Sequence, residues 1–301
     1  MVLLESNNRH AATSRKSLDQ FKELAGSPLS DWEFSQEKEG VKLYTKSDGS
    51  SITIVRGDIT LKTGDKYTPR EVATVATQTG CRKIWDEKFD TSEVKEMFTP
   101  LESLFWVKLK APWPVSPRDF TGIALRDFDE DECYVSMSSV EDPAVPPVSG
   151  CVRGNLIISG WKVYKAEGGI GITYITKVDM AGSIPSSFLK SIHLQVPLCA
   201  GKVANYVTSY GFPPATLAAD NVNYKRESFD HAKREFVSEV EGQGDGAQVK
   251  WLISGQMFPN GVKVTTDGTA SHEIVDAEAA GKKYVIVKGI QGAVTVKINK
   301  A

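Results

Sequence analysis

No run in the 301-residue chain approaches the ~20 apolar residues that a membrane-spanning helix needs. The first apolar run, Val2 to Leu4, is also too short for the core of a signal peptide. A cytoplasmic protein is expected, one that meets membranes only at their surface. Cysteine is sparse: Cys81, Cys133, Cys151 and Cys199 lie far apart and form no C-x-x-C pair, which excludes a zinc knot or a disulfide framework and leaves reduced thiols. Histidine is scarcer in useful places, since His10 lies near the N-terminus, His193 and His231 lie on expected helices, and only His272 remains. No G-x-S-x-G, H-E-x-x-H, phosphate-binding glycine loop or dinucleotide fingerprint occurs, so the common hydrolase, metal and nucleotide signatures are all missing. The expectation is a protein that is not an enzyme and has no metal and no cofactor. An excess of positive charge is lacking too: 36 Lys+Arg stand against 38 Asp+Glu, a net charge of -2, and no nucleic-acid partner is expected.

What is present is an ordinary globular composition, 41% hydrophobic and 25% charged, sufficient for a substantial core. Residues 1–14 are polar and read as a flexible tail. Leu18, Phe21, Leu24 and Ala25 then recur at helical spacing, with Gly26 as a stop. Strand-like alternation follows at Trp32 to Ser35, Val41 to Tyr44 and Ile52 to Leu61, with Asp48-Gly49 as a turn. Thr68-Pro69-Arg70-Glu71 combines a Thr cap, a first-turn proline and a Glu three residues after the cap, a strong helix start. A short second helix is expected around Arg82 to Phe89, then a strand-rich block from Ser92 to Asp179 that would form one antiparallel sheet. From Ser183 to Tyr210 the period changes: Leu189, Ile192, Val196, Cys199, Val203 and Val207 share one helix face, and Pro197 predicts a kink or break.

Five strings occur in order between Leu18 and Phe212: Gly40-Val41-Lys42-Leu43-Tyr44, Arg82-Lys83-Ile84-Trp85-Asp86, Ser116-Pro117-Arg118-Asp119-Phe120, Val152-Arg153, and Asp179 to Pro185. Together they resemble the steroidogenic acute regulatory protein-related lipid transfer (START) family. The resemblance implies an α+β helix-grip fold, in which a curved antiparallel sheet and a long C-terminal helix enclose a hydrophobic tunnel for one lipid. Burying each CH2 contributes ~0.8 kcal/mol, so a sixteen-carbon chain leaves a bilayer only for a deeply apolar site.

The resemblance also supplies candidate positions. It implies a gate at Ala111 to Pro117, where Trp113 and Val115 form an apolar tip facing Leu189, Ile192 and Val196 of the final helix. Trp113 reads equally as a membrane contact or as a plug packed on that helix. Arg82 and Asp86 match a pair that engages lipid phosphate in phosphatidylcholine-binding members, although as residues alone they read first as a structural i,i+4 ion pair. Phe120 occupies one column of the choline cage, whereas Trp106 is offset by one residue and so points to the other sheet face unless a bulge intervenes. The columns that carry an Arg and an acidic partner in sterol-binding members read Ala124 and Phe105 here. Arg126 shares a face with Ala124 and would substitute, or would be a solvated charge at a strand end. Arg118 and Asp119 read as structural, Arg153 as inside or outside the tunnel, and Tyr174 and Tyr164 as hydroxyl donors or packing residues.

The lipid-binding domain is expected to span residues 15–218. After it, Phe229, Ala232, Phe236 and Val240 fall at helical spacing and Gly242 to Gly246 reads as a linker, giving a helix and linker over 219–247. Short strands at Val249 to Ile253, Val262 to Thr265, His272 to Val275, Tyr284 to Val287 and Val294 to Ile298 predict a small all-β module over 248–301. The functional expectation is a carrier of a single lipid, phospholipid before sterol, that exchanges its ligand with membranes. The alternatives are a lipid sensor acting on a protein partner through the β module, and a tunnel enzyme on the same fold.

Overall fold

The computed structural model describes residues 6–184, 192 and 194–301. Its larger sheet is built from β1 (Glu33–Lys38), β2 (Val41–Lys46), β3 (Ile54–Leu61), β4 (Phe89–Thr99), β5 (Glu102–Leu109), β6 (Arg118–Phe128), β7 (Glu132–Ser139), β8 (Val152–Arg153), β9 (Asn155–Ala166) and β10 (Gly169–Asp179). The strands pair antiparallel in the order β1-β2-β3-β10-β9-β7-β6-β5-β4, and the two-residue β8 runs parallel beside the start of β6. Alternation along each strand divides the side chains between two faces. Register carries one row of the concave face across the sheet: Leu43 opposite Gly57, then Tyr174, Trp161, Val135 and Arg126.

The convex face is covered by α1 (Ala11–Gly26), whose Phe21 and Ala25 pack with Trp32, Tyr44, Ile54, Tyr134, Ile158 and Ile175. The helix begins earlier than its apolar stripe suggests, and the expected tail is fixed from Ser6 onward. Asn8 Nδ2 donates to Glu102 at 3.2 Å, while Arg9 Nε and His10 Nε2 both meet Asp142 at 2.7 Å. Polar residues that read as a loose end are instead the partners of two carboxylates on the convex side.

Against the concave face lie α2 (Pro69–Thr77), α3 (Thr79–Trp85) and α4 (Cys199–Tyr210). The capping box opens α2 as its sequence predicts, with Glu71 N donating to Thr68 Oγ1 at 3.4 Å and Thr68 N to Glu71 Oε2 at 3.1 Å. The expected second helix starts and stops earlier than read, and Asp86 is its C-cap. Pro197 breaks the last helix as expected: Ile192, Leu194 and Gln195 are helical, Val196 to Leu198 are not, and α4 restarts at Cys199. Gly57 of β3 makes room for this break, since a Cβ there would stand 2.2 Å from the Pro197 carbonyl oxygen.

A six-stranded sheet follows: β11 (Ala215–Asp220), β12 (Val222–Asp230), β13 (Glu235–Gly242), β14 (Gln248–Ser254), β15 (Val262–Asp276) and β16 (Lys282–Lys300). It begins at Ala215, so the helix and linker expected over 219–247 are absent. Phe236 and Val240 are four apart, a spacing that fits a helix and also two steps of a strand. The buried Ser238 between them supplies the period of two. Gly242 closes β13 against β16, and the glycines after it form the turn into β14. The last four of the five expected C-terminal strands are two long ones, β15 and β16. Gly268 falls at register shifts within β15, and Gly289 and Gly292, with φ +62°, lie inside β16.

This second sheet packs on the helix layer. Val72, Val75, Cys81, Val203 and Val207 share one continuous apolar core with Phe212, Phe229, Trp251, Met257 and Phe258. A Cβ at Gly80 would stand 1.8 Å from the Phe229 carbonyl oxygen, so α3 and β12 approach backbone to backbone. A buried ion pair between Glu71 and Lys282, at 2.7 Å, joins the start of α2 to β16.

Candidate ligand site under the final helix

Arg82 and Asp86 come together at the end of α3, with Arg82 Nε donating to Asp86 Oδ2 at 3.0 Å. Asp86 is buried and its Oδ1 also accepts from Lys88 N at 3.1 Å, so the carboxylate is fixed on two sides. The Arg82 guanidinium lies 5.8 Å from the Trp85 ring centroid and 5.1 Å from that of Phe89. Among the described residues only its Nε is engaged, leaving both Nη groups open. An Arg held by a carboxylate at one edge and stacked on aromatic rings presents its remaining donors in a fixed fork, a geometry suited to a phosphate or carboxylate group.

Tyr174 belongs to the same neighbourhood. Its ring stacks on Trp161 with centroids 4.1 Å apart, Trp161 meets Trp85 edge-on at 6.1 Å, and its hydroxyl lies 3.2 Å from Ser159 Oγ. Burial pushes the Tyr174 hydroxyl up to about 12, and the nearby charges of Arg82 and Asp86 act on it in opposite senses. Cys199, at the start of α4, is likewise pushed up to about 12, by burial first and then by Asp86. Both groups are therefore neutral in ordinary conditions, and the Tyr hydroxyl remains a donor.

Phe120 is fully buried on the concave face. It packs with Phe89, Val107, Phe105, Leu109, Leu156, Val178 and Met180, an apolar group that Phe89 connects to Arg82. Trp106 is on the convex face, as its offset predicts, because β5 and β6 pair there without a bulge. Its Nε1 donates to Asp119 Oδ2 at 2.9 Å and its ring joins Phe98, Leu104, Ile123 and Val145. Trp106 is thereby corrected from a ligand contact to a convex-face residue. Arg153 is there too, 2.7 Å from Asp119 Oδ2. Burial works against the Asp119 charge, but Arg153 and Trp106 outweigh it and hold the carboxyl below its usual range.

Arg126 is not a solvated strand end. It lies in the concave-face row with Tyr174 and Trp161, under β12, and its Nη1 is buried without a hydrogen-bond partner. Tyr164 points to the convex side, where Lys162 stands 5.2 Å from its ring centroid.

In the loop at 111–117, Trp113 is 92% exposed and Val115 is half-buried. Trp113 is thus not packed as a plug on the final helix. Arg118 ties this loop to the end of β10. Its guanidinium donates to the carbonyls of Met180 at 3.1 Å, Ala181 at 3.1 Å and Ser116, joining this loop to the segment that follows β10. Ile192 and Val196 are half-buried and Leu194 is exposed, while the gate position Leu189 and His193 lie outside the described residues. The sequence reading missed Phe89, Trp161, Cys199 and the Trp85 ring as neighbours of Arg82. Trp161 could be placed there only through its pairing with Tyr174, which no single strand reveals.

An uncharacterized protein of Pseudomonas aeruginosa is 26% identical over 180 residues, covering 58% of this chain and 86% of that protein. Among solved structures, human StAR-related lipid transfer protein 5 has a TM-score of 0.59 at 21% identity, covering 66% of this chain and 96% of that one. Human STARD10 has a TM-score of 0.58 at 18% identity, covering 65% and 80%. These structures share the fold of the larger sheet and its helices. The START domain pattern matches residues 14–205, ending before the six-stranded sheet, and on this match the chain belongs to the START domain family.

Proposed function

We propose that this protein is a lipid carrier that holds a single lipid between the concave face of the larger sheet and the final helix, and exchanges it with membranes at the loop around Trp113. The observation that carries this reading is the 92% exposure of Trp113 on a loop hinged, through Arg118, to the approach of the final helix. A large aromatic side chain left in water has a natural place at a headgroup boundary. START membership supports lipid binding in general, and the apolar row behind Phe89 and Phe120 supports an acyl chain.

In this reading Arg82 contacts the lipid phosphate and Asp86 positions the guanidinium, with Tyr174 as a neutral donor nearby. A glycerophospholipid fits better than a sterol, because the positions that would carry a buried Arg and acid pair are Phe105 and Ala124. The convex placement of Trp106 removes one wall of a choline cage, so the phosphate rather than a quaternary ammonium is the recognised group. No covalent chemistry is part of this reading, and the protein acts as a soluble carrier peripheral to membranes.

Native mass spectrometry followed by identification of the released lipid tests the ligand, and vesicle-to-vesicle transfer tests the carriage. Wild-type protein is expected to hold one phospholipid. Trp113→Ala should keep its fold and lose about tenfold or more in transfer rate, since an aromatic side chain contributes roughly 1.5–3 kcal/mol when buried. Unaltered transfer by Trp113→Ala would refute the gate, and tight binding without any transfer would refute carriage.

A further inference from the structure

We propose that the cavity between the two sheets is a second ligand site, one that binds a phosphate group through Arg70 and Arg126. The cavity is about 590 Å3, and its walls come from α2, α3, the concave side of β4 to β6, and strands β11 to β13. Arg126 is presented by β6 and Arg70 by α2, with the Arg70 guanidinium 5.4 Å from the ring centroid of Phe128, two residues along β6 from Arg126. Both cations therefore line this cavity.

Each guanidinium has a buried donor with no acceptor among the described residues: Nη1 of Arg126 and Nε of Arg70. Buried charged donors are normally paired, and two orphans facing one polar cavity mark an absent acceptor. The opposite wall does not supply it. Glu227 is the carboxylate whose charge acts on Arg126, and it already accepts from Tyr224 Oη at 2.9 Å, from Thr216 Oγ1 at 3.2 Å and from Gln78 Nε2. The Thr216 carbonyl takes Nη2 of Arg70, leaving Nε free. Burial also pushes Glu227 towards its protonated form, which weakens its claim on Arg126 and lowers its repulsion of an entering anion.

The donor set favours a tetrahedral oxyanion over a planar carboxylate. Two guanidiniums approach from different elements, and Ser92, Ser103 and Lys83 are among the other lining residues, so several oxygens find partners in different directions; with Lys95, Lys225 and Arg226 the cations of the lining outnumber its carboxylates, Glu93, Glu227 and Glu239. Lys83 neighbours Arg82 on α3 but lines this cavity, whereas Arg82 is paired with Asp86. The site is thus separate from the one under the final helix. One side of it, from Thr216 on β11 to Glu239 on β13, is contributed by the six-stranded sheet.

The phosphate could be free or carried by a lipid headgroup, and two probes distinguish these: inorganic phosphate and oleoyl lysophosphatidate, each titrated into the full chain. The readouts are calorimetry and the Nε–H signal of Arg70 in the nitrogen-proton NMR spectrum of wild-type protein, which needs no variant. A saturable shift of the Arg70 signal is expected, needing at least tenfold more of either probe in Arg126→Gln, and it is this shift, not the total heat, that reports the second site, since lysophosphatidate held at Arg82 under the final helix leaves it still. Binding of both probes means a site for free phosphate, and binding of lysophosphatidate alone means a headgroup site. A still Arg70 signal with both probes at millimolar concentration overturns the proposal. So does an Arg70 shift that is lost in Arg82→Gln and kept in Arg126→Gln.

Discussion

Replacing Lys282 by Met should destabilise the whole chain by about 3 kcal/mol, although the side chain is in β16, far outside the region that matches the START pattern. Lys282 Nζ and Glu71 Oε1 are 2.7 Å apart, with side chains only 9% and 1% exposed. Losing the ammonium leaves a carboxylate buried without its counter-charge, a loss worth roughly 3–5 kcal/mol when a buried pair is broken from one side. Glu71→Gln should cost a similar amount, because it strands the ammonium and weakens the hydrogen bond to Thr68 N that caps α2. The double variant should recover most of the loss, since two neutral side chains need no mutual compensation. Burial raises the Glu71 carboxyl above its usual 4.5 more strongly than Lys282 lowers it. The folded state therefore holds that proton more tightly than the unfolded chain, so this group favours folding in acid, and the benefit is lost as pH rises through the raised pKa. Lys282→Met removes the opposing charge and should steepen that loss. Urea denaturation of the four proteins at neutral pH measures the coupling. Single variants costing under about 1 kcal/mol, or a double variant equal to their sum, would refute the claim that this pair joins the second sheet to the helix layer.

His231, in the turn between β12 and β13, meets Tyr206 Oη at 2.6 Å and is held down to about 4 by burial first and by Arg234 second. Its folded pKa is below its unfolded 6.5, so the stability it contributes is present above 6.5 and lost as pH falls towards 4. His231→Phe should flatten the dependence of the melting temperature on pH in that window, and an unchanged slope would refute the assignment. Arg118→Met removes three hydrogen bonds to carbonyls and should cost about 2–3 kcal/mol. Hydrogen exchange should rise at 111–117 and 180–184, and a uniform rise across the chain would contradict the role of Arg118 as a local tie.

The larger sheet and the helices behind it were legible because their signals are local. The Thr68 capping box, the break at Pro197 and the strand alternation each depend on a few adjacent residues. Trp106 was legible for the same reason, a one-residue offset being enough to change its face. The misread part was β12 and β13, where Phe229, Phe236 and Val240 sit at separations that suit a helix. What overrules that spacing is pairing with β16, some fifty residues away in the chain, an interaction with no local signature. Arg126 shows the same limit in the candidate sites. Its face followed from counting along β6, but its burial comes from β12, so a charge that reads as solvated is enclosed.

The helix layer has apolar neighbours on two sides, and this decides what the six-stranded sheet is. On α2, Pro69, Val72, Ala73, Val75 and Ala76 are all buried, more than the single stripe that a helix lying on one sheet would show. Val203 and Val207 of α4 share their core with Phe212 and the second sheet as well as with the first. A chain ending at Pro214 would keep the entire START match and expose that second apolar side to water. Such a truncation should be poorly soluble or self-associating and should lack a cooperative thermal transition, whereas the full chain should melt in a single step. Size-exclusion chromatography with calorimetry on both proteins is the test. A monomeric, cooperatively melting product of residues 6–214 would mean that the two sheets are independent domains. Two well-separated transitions in the full chain would mean the same, and the shared core would then be a docking contact instead of a requirement for folding.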